Sequence, residues 1–161
     1  MAHRARYAHT NLVAKDWRRL AHFYHSVFGC EPVPPERDLS GEWLDRATGI
    51  ANARIRGVHL RLPGHGDRGP TLEIFQYLDR QEALQPAKTP DRPGLGHLAF
   101  QVDDVQAALA RVVAAGGGAV GHTVTADIPQ AGRITFVYAT DPEGNIIELQ
   151  QWASSKGGRE E

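Results

Sequence analysis

The sequence has one cysteine, Cys30, so no disulfide can close within the chain and no thiolate cluster can hold a metal. That suits a reducing compartment, and it leaves nitrogen and oxygen as the only ligands for any ion. An excess of charge of one sign is also missing. Eighteen Lys and Arg against nineteen Asp and Glu give a formal net charge of −1. Such a chain has no basic field for neutralising phosphates, which argues against nucleic acid and for a small-molecule partner. Long apolar runs are lacking as well. The start, Met-Ala-His-Arg-Ala-Arg, has no stretch of signal-peptide type and no later segment reaches membrane-spanning length, so a cytoplasmic protein away from membranes is expected. The 161 residues, 41% hydrophobic and 23% charged, are enough to bury a core as one domain or as two half-domains.

What the chain does have is a repeat. Residues 94–104, Gly-Leu-Gly-His-Leu-Ala-Phe-Gln-Val-Asp-Asp, restate residues 7–16. Strand alternation sets His97 opposite Leu98, Phe100 and Val102, and sets His9 and Asn11 opposite Ala8, Thr10 and Leu12. An aspartate, Asp16 or Asp104, then opens a helix. The step from His9 to His97 is 88 residues (97 − 9), and it recurs from Asp16 to Asp104 (104 − 16) and from Gly29 to Gly117 (117 − 29).

The first helix is expected to run to about Phe28 with Leu20, Phe23, Tyr24, Val27 and Phe28 as its buried stripe, and Gly29 as a left-handed cap. A short strand at 30–33 leads into residues 34–52, rich in turn formers and charge and expected as an ordered excursion over a cavity. Strands follow at 53–62 and 71–77. Residues 78–93, with Pro86, Pro90 and Pro93, read as a linker between a first module (1–77) and a second (94–152). The second helix, 104 to about 115, is expected to bury Val105, Leu109, Val112 and Val113. Strands at 119–125, 134–140 and 145–152 complete the module, the last two joined by the type I turn Asp141-Pro142-Glu143-Gly144. Residues 153–161 read as a frayed tail.

Each half is thus βαβββ, an α+β arrangement, and each ends on a strand with a glutamate among large side chains: Glu73 beside Thr71, Phe75 and Tyr77, and Glu148 beside Ile146, Gln150 and Trp152. His9 to Glu73 spans 64 residues (73 − 9) and His97 to Glu148 spans 51 (148 − 97), a mismatch that an insertion within 34–52 explains. A buried carboxylate costs several kcal/mol unless it is paired, hydrogen-bonded or bound to metal. Each residue alone has a bland reading, a hydrogen-bonded strand histidine or a glutamate paired with Arg54 or Arg56. The recurrence of both types in both halves points instead to a metal. His3, His22, His25, His59, His65 and His122 lack such counterparts and are read as surface or loop residues.

Residues 7–16, His22-Phe23-Tyr24 through Gly29, Gly96-His97-Leu98-Ala99-Phe100 with Val102-Asp103-Asp104, and Asp141-Pro142-Glu143-Gly144-Asn145 through Glu148 resemble the vicinal oxygen chelate superfamily. That group includes glyoxalase I, methylmalonyl-CoA epimerase, extradiol ring-cleaving dioxygenases, and fosfomycin-resistance and bleomycin-binding proteins. The resemblance implies two paired βαβββ modules forming an open mixed barrel around one divalent metal, with ligands on His9, Glu73, His97 and Glu148. Two imidazoles and two carboxylates suit zinc, nickel, cobalt, manganese or iron. Four protein ligands leave about two positions of a six-coordinate ion for adjacent substrate oxygens, enough for polarising a carbonyl and less suited to ring cleavage. Glutamate at position 73, where the epimerases carry glutamine, tilts the expectation to a glyoxalase I-like lyase or isomerase, with Glu148 or Glu73 as base. A methylmalonyl-CoA epimerase-like activity is the alternative, followed by a ring-cleaving dioxygenase or a non-catalytic binding and resistance protein. The expected assembly is a homodimer, because open sheets leave edges to cover.

Overall fold

Each half of the chain opens its first helix with an aspartate whose side chain takes up amides that the helix leaves free. In the computed structural model, which describes residues 6–79, 88–91 and 93–153, Asp16 accepts from the amides of Arg18 and Arg19, both at 3.1 Å, and Asp104 accepts from that of Ala107 at 2.9 Å. The chain divides into two units, Met1–Gln85 and Pro86–Glu161.

In the first unit the elements are β1 (His9–Val13), α1 (Trp17–Phe28), β2 (Glu31–Ser40), α2 (Glu42–Thr48), β3 (Arg54–Arg61) and β4 (Thr71–Tyr77). The sheet order is β1-β4-β3-β2, with β1 parallel to β4 and the other neighbours antiparallel. Helix α1 supplies the crossover that a parallel pair requires. Its Leu20, Phe23, Tyr24 and Val27 are buried together with Leu12, Val58, Leu60, Leu72 and Ile74, and each such side chain contributes about 1.5–3 kcal/mol. Gly29 ends the helix at φ 70°, in the left-handed region where glycine carries no Cβ penalty.

The excursion expected at 34–52 is largely regular structure. Strand β2 continues to Ser40, its pairing with β3 lapsing between Val33 and Arg37 across the cis Pro34–Pro35 bond. Prolines are tolerated there because β2 is an edge strand and the lapse is a bulge. Helix α2 then buries Leu44 against Ala53 and Ile55, with Leu39, Ile50, Phe75 and Tyr77 packed around them. The Asp45 carboxylate accepts from the amides of Asn52 (2.8 Å) and Ala53 (2.7 Å), tying the end of the excursion back to the helix.

The second unit contains β5 (Leu98–Gln101), α3 (Val105–Ala114), β6 (Gly118–Ile128), β7 (Gly132–Thr140) and β8 (Ile146–Trp152). Its sheet order, β5-β8-β7-β6 with β5 parallel to β8, repeats that of the first. Helix α3 buries Val105 and Val112, while Leu109 is half-buried and Val113, expected inside, is 50% exposed. Its buried face is therefore narrower than periodicity indicates. The β7–β8 turn is built around buried Asp141, whose carboxylate accepts from the amides of Glu143 and Asn145, both at 2.9 Å, and from the Asn145 side chain at 2.7 Å. The chain is α+β, with two four-stranded mixed sheets and no helix among the described residues long and apolar enough to cross a membrane. Most of the linker expected at 78–93 and all but the first residue of the tail at 153–161 lie outside the described residues, as does His3.

Candidate metal centre

Cross-strand register decides which side chains share a face. In the first unit Asn11 pairs with Glu73 and Glu73 pairs with His59, while His9 pairs with Thr71. His9, Asn11, Thr71, Glu73 and His59 therefore project from one face, opposite the face covered by α1. The Glu73 carboxylate is the hub. Its Oε1 lies 3.0 Å from His59 Nε2, its Oε2 lies 3.6 Å from His9 Nε2, and Asn11 Nδ2 donates to that same Oε2 at 2.8 Å. Only 14% of the Glu73 side chain is exposed. His59 Nδ1 in turn meets the Thr71 hydroxyl at 3.0 Å, which fixes the ring as an outer partner fixes a ligating imidazole.

Three potential ligand atoms, one each from His9, His59 and Glu73, lie within 4.8 Å of one another. Burial, the largest influence, lowers the His59 pKa below its ordinary value; the Glu73 carboxylate opposes this, and the positive charges of Arg37 and His9 add to it. The imidazole is accordingly neutral near pH 7 and keeps a lone pair for a cation. Two imidazole nitrogens and a carboxylate at this spacing fit a borderline divalent ion.

The second unit repeats the pair. His97, just ahead of β5, places Nε2 3.0 Å from Glu148 Oε2. Glu148 pairs with Ala99 on one side and Tyr138 on the other, so Ala99 stands where the first unit has Asn11, and Tyr138 where it has His59. The Tyr138 ring lies 5.3 Å from that of His97 and 5.9 Å from that of Phe136. Burial first and the Glu148 charge second raise the Tyr138 pKa, which keeps its phenol neutral.

The four residues expected as ligands thus form two pairs, His9 with Glu73 and His97 with Glu148, each assembled within one unit. His59 corrects the sequence reading: it is a strand residue with 19% of its side chain exposed, inside the cluster and not on the surface. Its counterpart in the second unit is a tyrosine, so the recurrence of identical residues does not mark it. The usable signal was hairpin register, which sets residue 59 across from residue 73. Arg54 and Arg56, considered as partners for the glutamates, lie on the opposite face and share Asp38. Gly57, also on the face of the cluster, admits no other residue, because a Cβ there would stand 2.0 Å from the Ile74 carbonyl oxygen and 2.4 Å from Phe75 Cδ1.

The model of the Glyoxalase/Bleomycin resistance protein/Dioxygenase superfamily matches residues 6–149. No curated protein matches the chain. Among solved structures, a glyoxalase family protein from Bacillus cereus is similar at a TM-score of 0.71 and 18% identity, covering 96% of this chain and 97% of that one. A glyoxylase/bleomycin resistance protein/dioxygenase domain from Frankia sp. EAN1pec gives 0.57 and 19%, covering 94% and 100%. The fosfomycin resistance protein FosX from Listeria monocytogenes, solved with Mn(II) and sulfate, gives 0.52 and 13%, covering 97% and 98%. At these identities the likeness concerns the fold.

Proposed function

The chain belongs to the glyoxalase/bleomycin resistance protein/dioxygenase superfamily, and on that premise we propose that it is a divalent-metal-dependent lyase or isomerase. In this reading it moves a proton next to a carbonyl of a small substrate with adjacent oxygens, in the manner of glyoxalase I, with a methylmalonyl-CoA epimerase-like activity as the alternative. The carrying observation is the pairing of histidine with a largely buried glutamate at the same place in both units. His9, Glu73, His97 and Glu148 are the proposed ligands. A divalent ion held by such donors supplies Lewis acidity, stabilising negative charge as it develops on a carbonyl oxygen.

The two glutamates are given different work. Glu73 is anchored by Asn11, His59 and His9, so its role is to hold. Glu148 has His97 at 3.0 Å and the apolar Ala99 where Asn11 would brace it. With fewer anchors it is the ligand that would be more readily loosened to take a proton, and we assign it as the base. The neutral Tyr138 hydroxyl beside it cannot compete for that proton near pH 7.

Elemental analysis of untagged protein, combined with a panel of 2-oxoaldehydes and acyl thioesters in deuterated water, tests the proposal. About one divalent ion per chain and deuterium at the carbon that loses its proton are expected. Metal-free protein that takes up no added ion would sink it. The His9, His59 and Glu73 cluster, as two imidazoles and a carboxylate, favours a second reading, because it is also the donor set of oxygen-activating iron sites. Oxygen uptake with ring opening of a catechol by the iron(II)-loaded protein would establish that dioxygenase reading instead. A homodimer is also proposed: β1, β2, β5 and β6 are sheet edges, and light scattering at micromolar concentration tests it, a monomer counting against it.

A further inference from the structure

The arginines of the first unit differ in what neutralises them. Arg18 makes a bidentate pair with Glu36 at 3.0 and 2.9 Å. Arg54 and Arg56 share Asp38, and Arg61 lies 3.6 Å from Asp67. Arg37 is the exception on these strands: among the described residues no carboxylate reaches it, and its guanidinium donates to the carbonyl of Pro35 in its own strand. It is nevertheless half-buried. A guanidinium has five donors in a planar fork, and one carbonyl leaves most of them without an anion.

Its position follows from register. Arg37 pairs with Gly57, and Leu39 with Ile55, while Asp38 pairs with Arg56. The Asp38–Arg56 ion pair at 3.0 Å marks the opposite face, so Arg37 shares the face of Gly57, His59 and Glu73. It stands across from Gly57, two residues along β3 from His59. Its charge is among those acting on the His59 imidazole. A cation without a carboxylate partner thus lies on the face of the candidate ligands, at Gly57, where the Phe75 ring closes in and itself meets the His59 ring edge-on at 5.9 Å.

We infer that Arg37 is an anchor for an oxyanion on the substrate, so that the molecule taken by this site carries a carboxylate, phosphonate or phosphate in addition to the oxygens it offers the metal. The inference rests on the metal-dependent reading above and adds the substrate's charge to it. An Arg fork binds such a group bidentately, and the charge-assisted bonds are about twice as strong as neutral ones. With a divalent ion held as proposed, the charges of Glu73 and Glu148 would offset those of the ion and leave Arg37 as the unbalanced cation, which disfavours cationic substrates and draws anionic ones.

Hydroxamates provide the test, because they chelate through two adjacent oxygens. Binding to cobalt(II)-loaded protein is measured for acetohydroxamate, which is neutral beyond its chelating end, and for the monohydroxamates of malonate, succinate and phosphonoacetate. Wild-type protein is expected to prefer at least one charged probe by about tenfold or more. Arg37→Gln should remove that preference while leaving acetohydroxamate unchanged, Arg37→Lys should retain part of it, and Arg54→Gln, on the other face, should change neither. The carboxylate and phosphonate arms identify which oxyanion fits. Charged probes that bind no tighter than acetohydroxamate, or a preference that survives Arg37→Gln, overturn the inference while the metal site stands. Failure of acetohydroxamate itself to perturb the cobalt spectrum overturns the metal reading, and this inference with it.

Discussion

The two units present the same histidine and glutamate on the same strands and differ in what stands beside the glutamate. Glu73 lies between Asn11 and His59, both of which bond to it. Glu148 lies between Ala99 and Tyr138, in a setting of aromatic rings. The two copies of the arrangement share the pair and differ in its neighbours. One copy is a polar, multiply bonded cluster and the other a looser carboxylate against an apolar wall. The difference teaches that symmetry of ligands does not entail symmetry of roles, because hydrogen-bonded neighbours decide whether a carboxylate is fixed or free.

The sharpest way to break this comparison is to neutralise each glutamate in turn. Glu148→Gln is expected to lower turnover by about 10²–10⁴ with most of the metal retained, whereas Glu73→Gln should chiefly lower metal content, as read by elemental analysis beside steady-state rates. Equal effects of the two substitutions on both readouts would show that the units act alike.

Next in size is a core change. Leu20, with no exposed surface beneath α1, should cost about 2–5 kcal/mol when changed to Ala, measured by urea unfolding. A loss under 1 kcal/mol would mean that α1 is not the lid of its sheet. A third contrast is alkaline stability. Cys30, fully buried in the first unit, has its thiol pushed up to about 12, by burial first and by the Glu31 charge second. Its folded pKa exceeds the unfolded one, so above about pH 9 the unfolded chain loses a proton that the folded chain keeps, and stability falls as pH rises towards 12. Cys30→Ala should flatten that limb of the pH–stability curve; an unchanged slope would count against burial as the cause.

The smallest effect concerns Asp38, whose carboxyl is held below its ordinary pKa chiefly by hydrogen bonds from Arg54 and Arg56. The stabilisation is present above the unfolded value near 4 and is lost as pH falls through the lower folded value. Because the group is exposed, a slight change in acid unfolding on Asp38→Asn is expected, and a large one would mean that Asp38 does more than pair with two surface arginines.

Local chemistry made much of this legible in the sequence. Asp16, Gly29, Asp104 and the Asp141–Gly144 turn each act within a few residues, and each stands where reading the sequence put it. The β2 extension and α2 were not legible, because Pro34 and Pro35 read as a break where an edge strand in fact carries them through a bulge. His59 and Arg37 were hidden for a different reason. Their meaning depends on which residue lies across the ladder, and register between strands is set by loops whose length has no local signature. Val113 marks the limit of periodicity: the stripe was right in phase and too wide.

The latch at Asp45 bears on how the first unit can vary. Because its carboxylate catches the amides of Asn52 and Ala53, and Leu44 is seated on Ile55, the inserted helix is fastened at two points, one polar and one apolar. A segment held in this way behaves as a cartridge, and its outward residues, Trp43 among them with 58% of its surface open, can be exchanged without disturbing the sheet that carries it. New contacts could be tried on this face at little risk to the scaffold, whereas Gly57 in β3 allows no such freedom.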